Sequence, residues 1–406
     1  MKKLLFIFSV LASLVSYSQG FQVNFQGQKQ QGMGSAGAAL PQDGASLFFN
    51  PGSAVFVKEN SINVAMTPVF GNTLFEEANT YESARTNSPM GTPFSAYALY
   101  KLKEDGKLSL GLAAYTPFGS TIQWEDAWEG RFALTRLELK SIFIQPTISY
   151  KITDYLGIGA GFVYCTGKVN LQKDIPVMDA EGTYGHAELA GKAQGFGVNA
   201  GLYIEPADKW SIGLTYKSQV NMAVTNGEAT FTVPTSLEPN FPSGKFSSSL
   251  PLPQVLTLGV AWKASDKLSL AFDLNRVGWS AYDTLAFDYE QNTASLSDTK
   301  SARNYVNTYA FRLGSQYKMT EKFTARLGLA YGLTPVPDGY VTPETPDANR
   351  INFTGGVGYV LGNNFEFDAS VLFTKFSRTD TNSETNLSGT FTTIVVAPGL
   401  AIIYRF

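Results

Sequence analysis

The chain has 406 residues, a formal charge of −3, one histidine and one cysteine. A lone Cys165 excludes an internal disulfide, and a mildly acidic balance gives no electrostatic reason to bind nucleic acid. Glycine (38), Phe (29) and Tyr (20) are abundant, the composition of a chain made of strands and turns.

The first element is an export signal. Lys2 and Lys3 precede the apolar run "LLFIFSVLASLV", and Ser16 and Ser18 in "SYSQ" have the spacing of a cleavage site. Residues 1–19 therefore read as a secretory signal peptide, whose removal after Ser18 or Gln19 leaves roughly 387 residues. No cysteine lies at the junction to take a lipid anchor. Beyond it there is no apolar run of 18 residues, which excludes helical membrane spans. No linker divides the remainder into domains.

Residues 20–57 come next, including the Gly- and Ala-rich "GQKQQGMGSAGAALPQDGASLFFNPGSAVF". Small residues suit tight packing in a confined space, so this stretch is expected to be an N-terminal plug. It ends on the corner Asn50-Pro51-Gly52, where Pro51 fixes φ, Gly52 permits unusual angles and Asn50 can bond its own backbone. These three residues are the expected plug or gate element, leading into a barrel over residues 58–406.

From Ser61 onward the chain alternates. In "KLSLAFDLNR", Leu268, Leu270, Phe272 and Leu274 oppose Ser269, Ala271, Asp273 and Asn275. In "KWSIGLTYKS", Trp210, Ile212, Leu214 and Tyr216 oppose Ser211, Gly213, Thr215 and Lys217. "NNFEFDASVLF" repeats the pattern. Short turns at "KEDGK", "ITDYL", "PADKW", "ASDKL", "MTEKF" and "LGNNF" alternate with longer polar connections near residues 71–91, 118–137, 170–192, 225–250, 282–304, 334–349 and 377–390. Short connections on one side and long ones on the other define an all-β transmembrane antiparallel barrel, here of about fourteen strands. A soluble sandwich would leave the apolar faces wet.

The third strand, "KLSLGLAAYTPFGS", carries Pro117 and Gly119. Proline cannot donate to the ladder and glycine weakens it, which predicts a kink over Thr116, Pro117, Gly119 and Ser120. The last strand, "APGLAIIYRF", puts Leu400, Ile402, Tyr404 and Phe406 on one face. Its terminal aromatic resembles the signal read by the barrel-insertion machinery, an expected partner alongside outer-membrane lipid.

"GFQVN", "GMGSAGAA" and "NPG", followed in order by "GFGVNAGLYIEPADKWSIGLTYKS", "LPQVLTLGVAW" and "LTPVPDGYVTPETPDANRINFTGGVGYVL", resemble the long-chain fatty-acid outer-membrane transporter (FadL/OmpP1/TodX) family. The likeness spans nearly the whole mature chain; Gly52 departs from an Ala frequent in the family. The resemblance implies fourteen strands, a lumenal hatch, and passive uptake of a hydrophobic small molecule, a fatty acid or aromatic hydrocarbon. It also implies lateral exit through a kink in strand three.

A fatty acid needs an apolar cavity and a fixed donor for its carboxylate. Arg350 is the head-group candidate, because Ile351 and Phe353 would face out and Arg350 and Asn352 in. Phe21 resembles the family's plug phenylalanine that touches ligand, and Phe118 would line the kink. For an outer groove the third and fourth long loops offer Leu171, Ile175, Val177, Met178, Phe231, Val233, Leu237, Phe241 and Phe246. His186 has no serine and carboxylate arranged around it in sequence, and "GAGF" and "GGVGY" lack a following helix, so no enzyme, metal or cofactor is expected. A monomer is expected. The alternatives are a porin for polar solutes, which needs no plug, and an adhesin working through its outer loops.

Overall fold

Fourteen antiparallel strands form the wall of the protein in a computed structural model that describes residues 20–102 and 106–406. The expected signal peptide lies outside those residues. The strands are β1 (Ser61–Met66 and Phe70–Glu77), β2 (Ser83–Arg85 and Phe94–Lys101), β3 (Leu108–Tyr115 and Gly119–Gln123), β4 (Arg136–Thr153), β5 (Leu156–Met178), β6 (Tyr184–Ala207) and β7 (Trp210–Lys217 and Val220–Thr232). They continue as β8 (Gly244–Leu252 and Val255–Lys263), β9 (Leu268–Val277 and Thr284–Tyr289), β10 (Thr299–Ala302 and Thr308–Lys318), β11 (Phe323–Gly332), β12 (Arg350–Leu361), β13 (Phe365–Thr381) and β14 (Ser388–Arg405). Closure is between β1 and β14, where Ser61 faces Arg405 and Met66 faces Leu400. A closed wall leaves no unpaired edge, the condition for strands to cross lipid. Among the described residues no helix is long and apolar enough to cross.

The alternation read from sequence is the alternation of the wall. In the first piece of β1 burial strictly alternates buried and exposed, with Ile62, Val64 and Met66 outside. Phe365, Phe367 and Val371 of β13 face out, while Glu366, Asp368 and Ser370 are buried. The outward face ends in packed aromatics at the short-turn end: Trp210 stacks against Trp262 (5.6 Å), and Tyr404 lies between Phe365 (5.1 Å) and Phe406 (5.8 Å).

Several expected long connections are instead strand. β5 runs on to Met178 and β6 resumes at Tyr184, so 170–192 is a tall hairpin. The connection 377–390 shrinks in the same way, because β13 reaches Thr381 and β14 begins at Ser388. On the upper part of the β5–β6 hairpin the alternation is inverted: Lys168, Asn170, Gln172 and Asp174 face out, while Leu171 and Ile175 pack inward with Ala187 and Leu189.

The wall encloses its own N-terminal segment. From Phe25 to Val55 nearly every residue is buried, and its partners lie around the ring of strands. Gln28 donates to Thr67 Oγ1 after the first piece of β1 (2.8 Å), Tyr97 of β2 to the Gln26 carbonyl (2.5 Å), and Gln145 of β4 to the Leu47 carbonyl (2.8 Å). Ser211 of β7 donates to the Ala39 carbonyl (2.8 Å), and Gly34 N–H to Thr354 Oγ1 of β12 (2.9 Å). Lys29, on the short helix α1 (Gln28–Gly32), bonds Glu366 of β13 at 2.6 Å. Arg326 bonds Asp368 at 2.6 Å. These are buried charges, and each has an opposite partner, as burial requires.

Candidate ligand site and the opening in strand three

The Asn50-Pro51-Gly52 corner joins a short helix, α2 (Ser46–Phe49), to a 3-10 turn over Pro51–Phe56. Asn50 Oδ1 accepts from Gly52 N–H (2.9 Å), and its Nδ2 donates to the carbonyls of Ala38 (2.7 Å) and Leu202 (3.0 Å). The corner rests on a patch of wall without side chains. A Cβ on Gly157 of β5 would lie 2.5 Å from the Gly52 carbonyl oxygen, and one on Gly213 of β7 would lie 2.8 Å from Asn50 Nδ2. Gly157 and Gly159 of "LGIGAGF", Gly201 of "GFGVNAG" and Gly213 are thus the bed of the corner. The corner docks on β4 to β7, where Ser149 of β4 donates to the Pro51 carbonyl (2.7 Å), whereas the break in β3 is reached by Phe21 to Val23 and by Gln26.

That break falls over residues 116–118. Tyr115 pairs with Phe143 and Gly119 with Lys140, so four steps along β3 match three along β4. Pro117 has no N–H for the ladder, and a one-residue bulge results. Pairing has resumed by Gly119 and Ser120. The gap is bridged from inside: Val23 N–H donates to the Pro117 carbonyl (2.9 Å) and Gly119 N–H to the Phe21 carbonyl (3.2 Å). Gln26 Nε2 donates to the Thr116 carbonyl (3.0 Å), and Ser141 of β4 to that of Phe118 (2.6 Å).

Phe21 and Phe118 meet edge to face at 6.2 Å. Trp279 and Tyr282, from the interruption in β9, complete the cage, with Trp279 4.8 Å from the Phe21 ring. Sequence reading missed both, since nothing local links them to a ring far upstream. Next to this cage a cavity is lined by Phe48, Tyr115, Pro117, Phe118, Phe143, Val163 and Val255, with Lys217 and Asn199 as polar members. Lys217 sits 4.4 Å from the Phe48 ring centroid, a cation-π contact. A second, more polar cavity shares Gln22, Phe48 and Lys217 and adds Asn24, Asp273, Asn275 and Arg312. Arg312 donates to Asn24 Oδ1 (2.7 Å) and to the Ser35 carbonyl (3.0 Å).

Arg350 lines neither cavity. It lies at the outer start of β12, over the Phe376 ring at 5.7 Å, with the inward direction that the alternation predicted. Leu171, Ile175, Val177, Phe231, Val233, Phe241 and Phe246 belong to one buried apolar cluster that also draws in Leu285, Phe287 and Tyr289 of β9. Leu171, Ile175 and Val177 are on β5, Phe231 on β7 and Phe246 on β8, so these are strand residues; Val233 and Phe241 lie between β7 and β8. Met178 stands apart and is exposed. Leu237 lies in the 3-10 turn Thr235–Asn240.

A closed fourteen-stranded barrel, apolar outside and filled by its own N-terminal segment, defines an outer-membrane channel protein. The family model described as "Outer membrane protein transport protein (OMPP1/FadL/TodX)" matches residues 9–406, and the chain belongs to that family of transport channels for hydrophobic compounds. The long-chain fatty acid transport protein of Salmonella typhi is 21% identical, over 92% of each chain. A FadL homologue of Pseudomonas aeruginosa superposes with a TM-score of 0.82 at 18% identity, covering 96% of this chain and all (100%) of its own. The toluene transporter TbuX of Ralstonia pickettii gives 0.72 at 18% identity, covering 94% of this chain and 98% of its own.

Proposed function

We propose that the chain takes up long-chain fatty acids, with residues 20–57 as a plug in the lumen, and releases them sideways into the bilayer through the gap in β3. The observation that carries this reading is the position of Lys217. An apolar cavity beside Pro117 and Phe118 has one cation, Lys217, among the residues that line it, a combination that suits an alkyl chain with a carboxylate head. A neutral aromatic hydrocarbon has no carboxylate to pair with the cation. Arg350 and the apolar cluster around Phe231, Phe241 and Phe246 are assigned to first contact on the outer side. The filled lumen argues against an open porin, and the internal cavity against a role confined to the outer loops.

The test is equilibrium binding of oleate and of toluene to detergent-purified protein and to Lys217→Met. Hydrogen bonds to charged groups contribute about 1.5–3 kcal/mol, so oleate should bind roughly ten- to a hundredfold more weakly to the variant. Toluene binding should not change. Unchanged oleate affinity, or an equal loss for both ligands, would remove the carboxylate from the account.

A further inference from the structure

The lipid-facing surface of β4, β5 and β6 carries a row of like charges. Lys140 is the direct cross-strand partner of Lys168, and Lys168 of Lys192. All three are exposed. Like charges directly opposite one another across a ladder are destabilising; Glu138 offsets this at Lys140 and Lys168, and the row as a whole is left with room for a further anion.

Their height on the wall says which anion. Two side-chain levels nearer the bilayer centre, in the same register, is the row Ile144, Tyr164 and Phe196. Tyr164 and Phe196 pack at 5.5 Å, and Phe196 also packs on Phe162 at 5.9 Å. The level between is Ile142, Thr166 and Gln194. The surface thus passes from apolar and aromatic to neutral polar to cationic. Four residues of a strand tilted at about 45° rise roughly 10 Å along the membrane normal. An aromatic girdle marks the edge of the hydrocarbon, so the lysines stand at the level of lipid head groups on the side away from the short turns, which is the outer leaflet.

The neighbouring charges leave capacity for a ligand. Glu138 accepts from Lys140 (2.5 Å) and Lys168 (2.9 Å) and lies 3.6 Å from Arg136. Glu188 accepts from Asn170. Among the described residues Lys192 has no ion-pair partner. Four cations therefore face two carboxylates. On the far side Lys140 is paired with Gly119, where an added Cβ would meet within 4 Å only the Leu139 carbonyl oxygen. A broad head group has room there.

We propose that Lys140, Lys168 and Lys192 form a binding site for the phosphorylated head of an outer-leaflet glycolipid, whose acyl chains lie on the apolar face below. The row borders the gap in β3, so this lipid would be a fixed neighbour of the opening.

The test is titration of delipidated, detergent-solubilised protein with lipid A, the diphosphorylated, acylated glucosamine disaccharide. The triple variant K140Q/K168Q/K192Q and the single variant K192Q are compared with the unaltered chain. Each lysine near an anionic surface is worth about a fivefold change in affinity, so K192Q should bind about fivefold more weakly and the triple variant on the order of a hundredfold. Both should keep the heat-dependent gel shift of a closed barrel, and the single variant decides the matter if the triple one does not fold. Equal binding by the folded variants would overturn the proposal. So would displacement of the lipid by an equal concentration of inorganic phosphate, since the site would then be one for the free ion.

Discussion

Gly52 and Gly201 meet backbone to backbone: a Cβ on Gly52 would stand 2.6 Å from the Gly201 carbonyl oxygen. A wall strand and the segment it encloses approach this closely only where neither has a side chain. The contact fixes the N-terminal segment at β6, and its consequences can be measured.

Gly201→Val should push the corner off the wall. Inserting methylenes into a packed contact costs about 1–3 kcal/mol, read as a lower midpoint in urea unfolding of the detergent-solubilised barrel. Gly71→Ala is the control, because a Cβ there would meet only Val395 Cγ2, at 3.9 Å, and its midpoint should not move.

Asn50→Ala removes the donor to Ala38 and Leu202 and the acceptor for Gly52. Leaving buried backbone groups unpaired costs about 1–3 kcal/mol. Single-channel recordings should therefore show more frequent open events. Deletion of residues 20–50 should give a permanently open pore, and flat conductance in a correctly folded deletion would mean that the segment does not obstruct the lumen.

Lys29 is held by Glu366 at 2.6 Å, with Asp43 at 3.8 Å and Asp368 at 4.0 Å. Lys29→Met leaves an excess of buried carboxylate, and breaking one side of a buried pair costs about 3–5 kcal/mol. The expected outcome is protease cleavage within residues 20–57 while the wall stays resistant. A cleavage pattern identical to that of the unaltered chain would mean that this cluster does not hold the segment.

The wall was legible because lipid and lumen impose opposite demands on successive residues. The outward set Leu400, Ile402, Tyr404 and Phe406, and the break at Pro117, follow from single-strand chemistry. Lys217 was placed on the inward face by the same alternation, but its importance was hidden. Period two gives the side a residue faces and says nothing of Phe48, which arrives from the N-terminal segment. Trp279 and Tyr282 were illegible for the same reason. The tall hairpin of β5 and β6 looks like a loop in the sequence because its outward residues, Lys168, Asn170, Gln172 and Asp174, are polar where a lipid-facing strand is apolar, and Leu171, Ile175 and Val177 then look like loop residues although they face the buried interior. Arg350 drew attention through its inward direction, which does not reveal that the cavities lie elsewhere.

The most direct measurement concerns the route. In Pro117→Val/Gly119→Val a ladder donor and strand propensity return to β3, and a Cβ at position 119 meets one atom within 4 Å, the Leu139 carbonyl oxygen at 3.2 Å, a close contact that a shift of a few tenths of an ångström relieves. An alkyl chain gains roughly 0.8 kcal/mol per methylene on leaving water, so the bilayer is the favoured destination once the gap is reached. Oleate uptake by cells carrying this variant should fall to the level of cells lacking the protein, while the purified variant still binds oleate. Undiminished uptake by a correctly inserted variant would contradict it and send the ligand down the barrel axis instead.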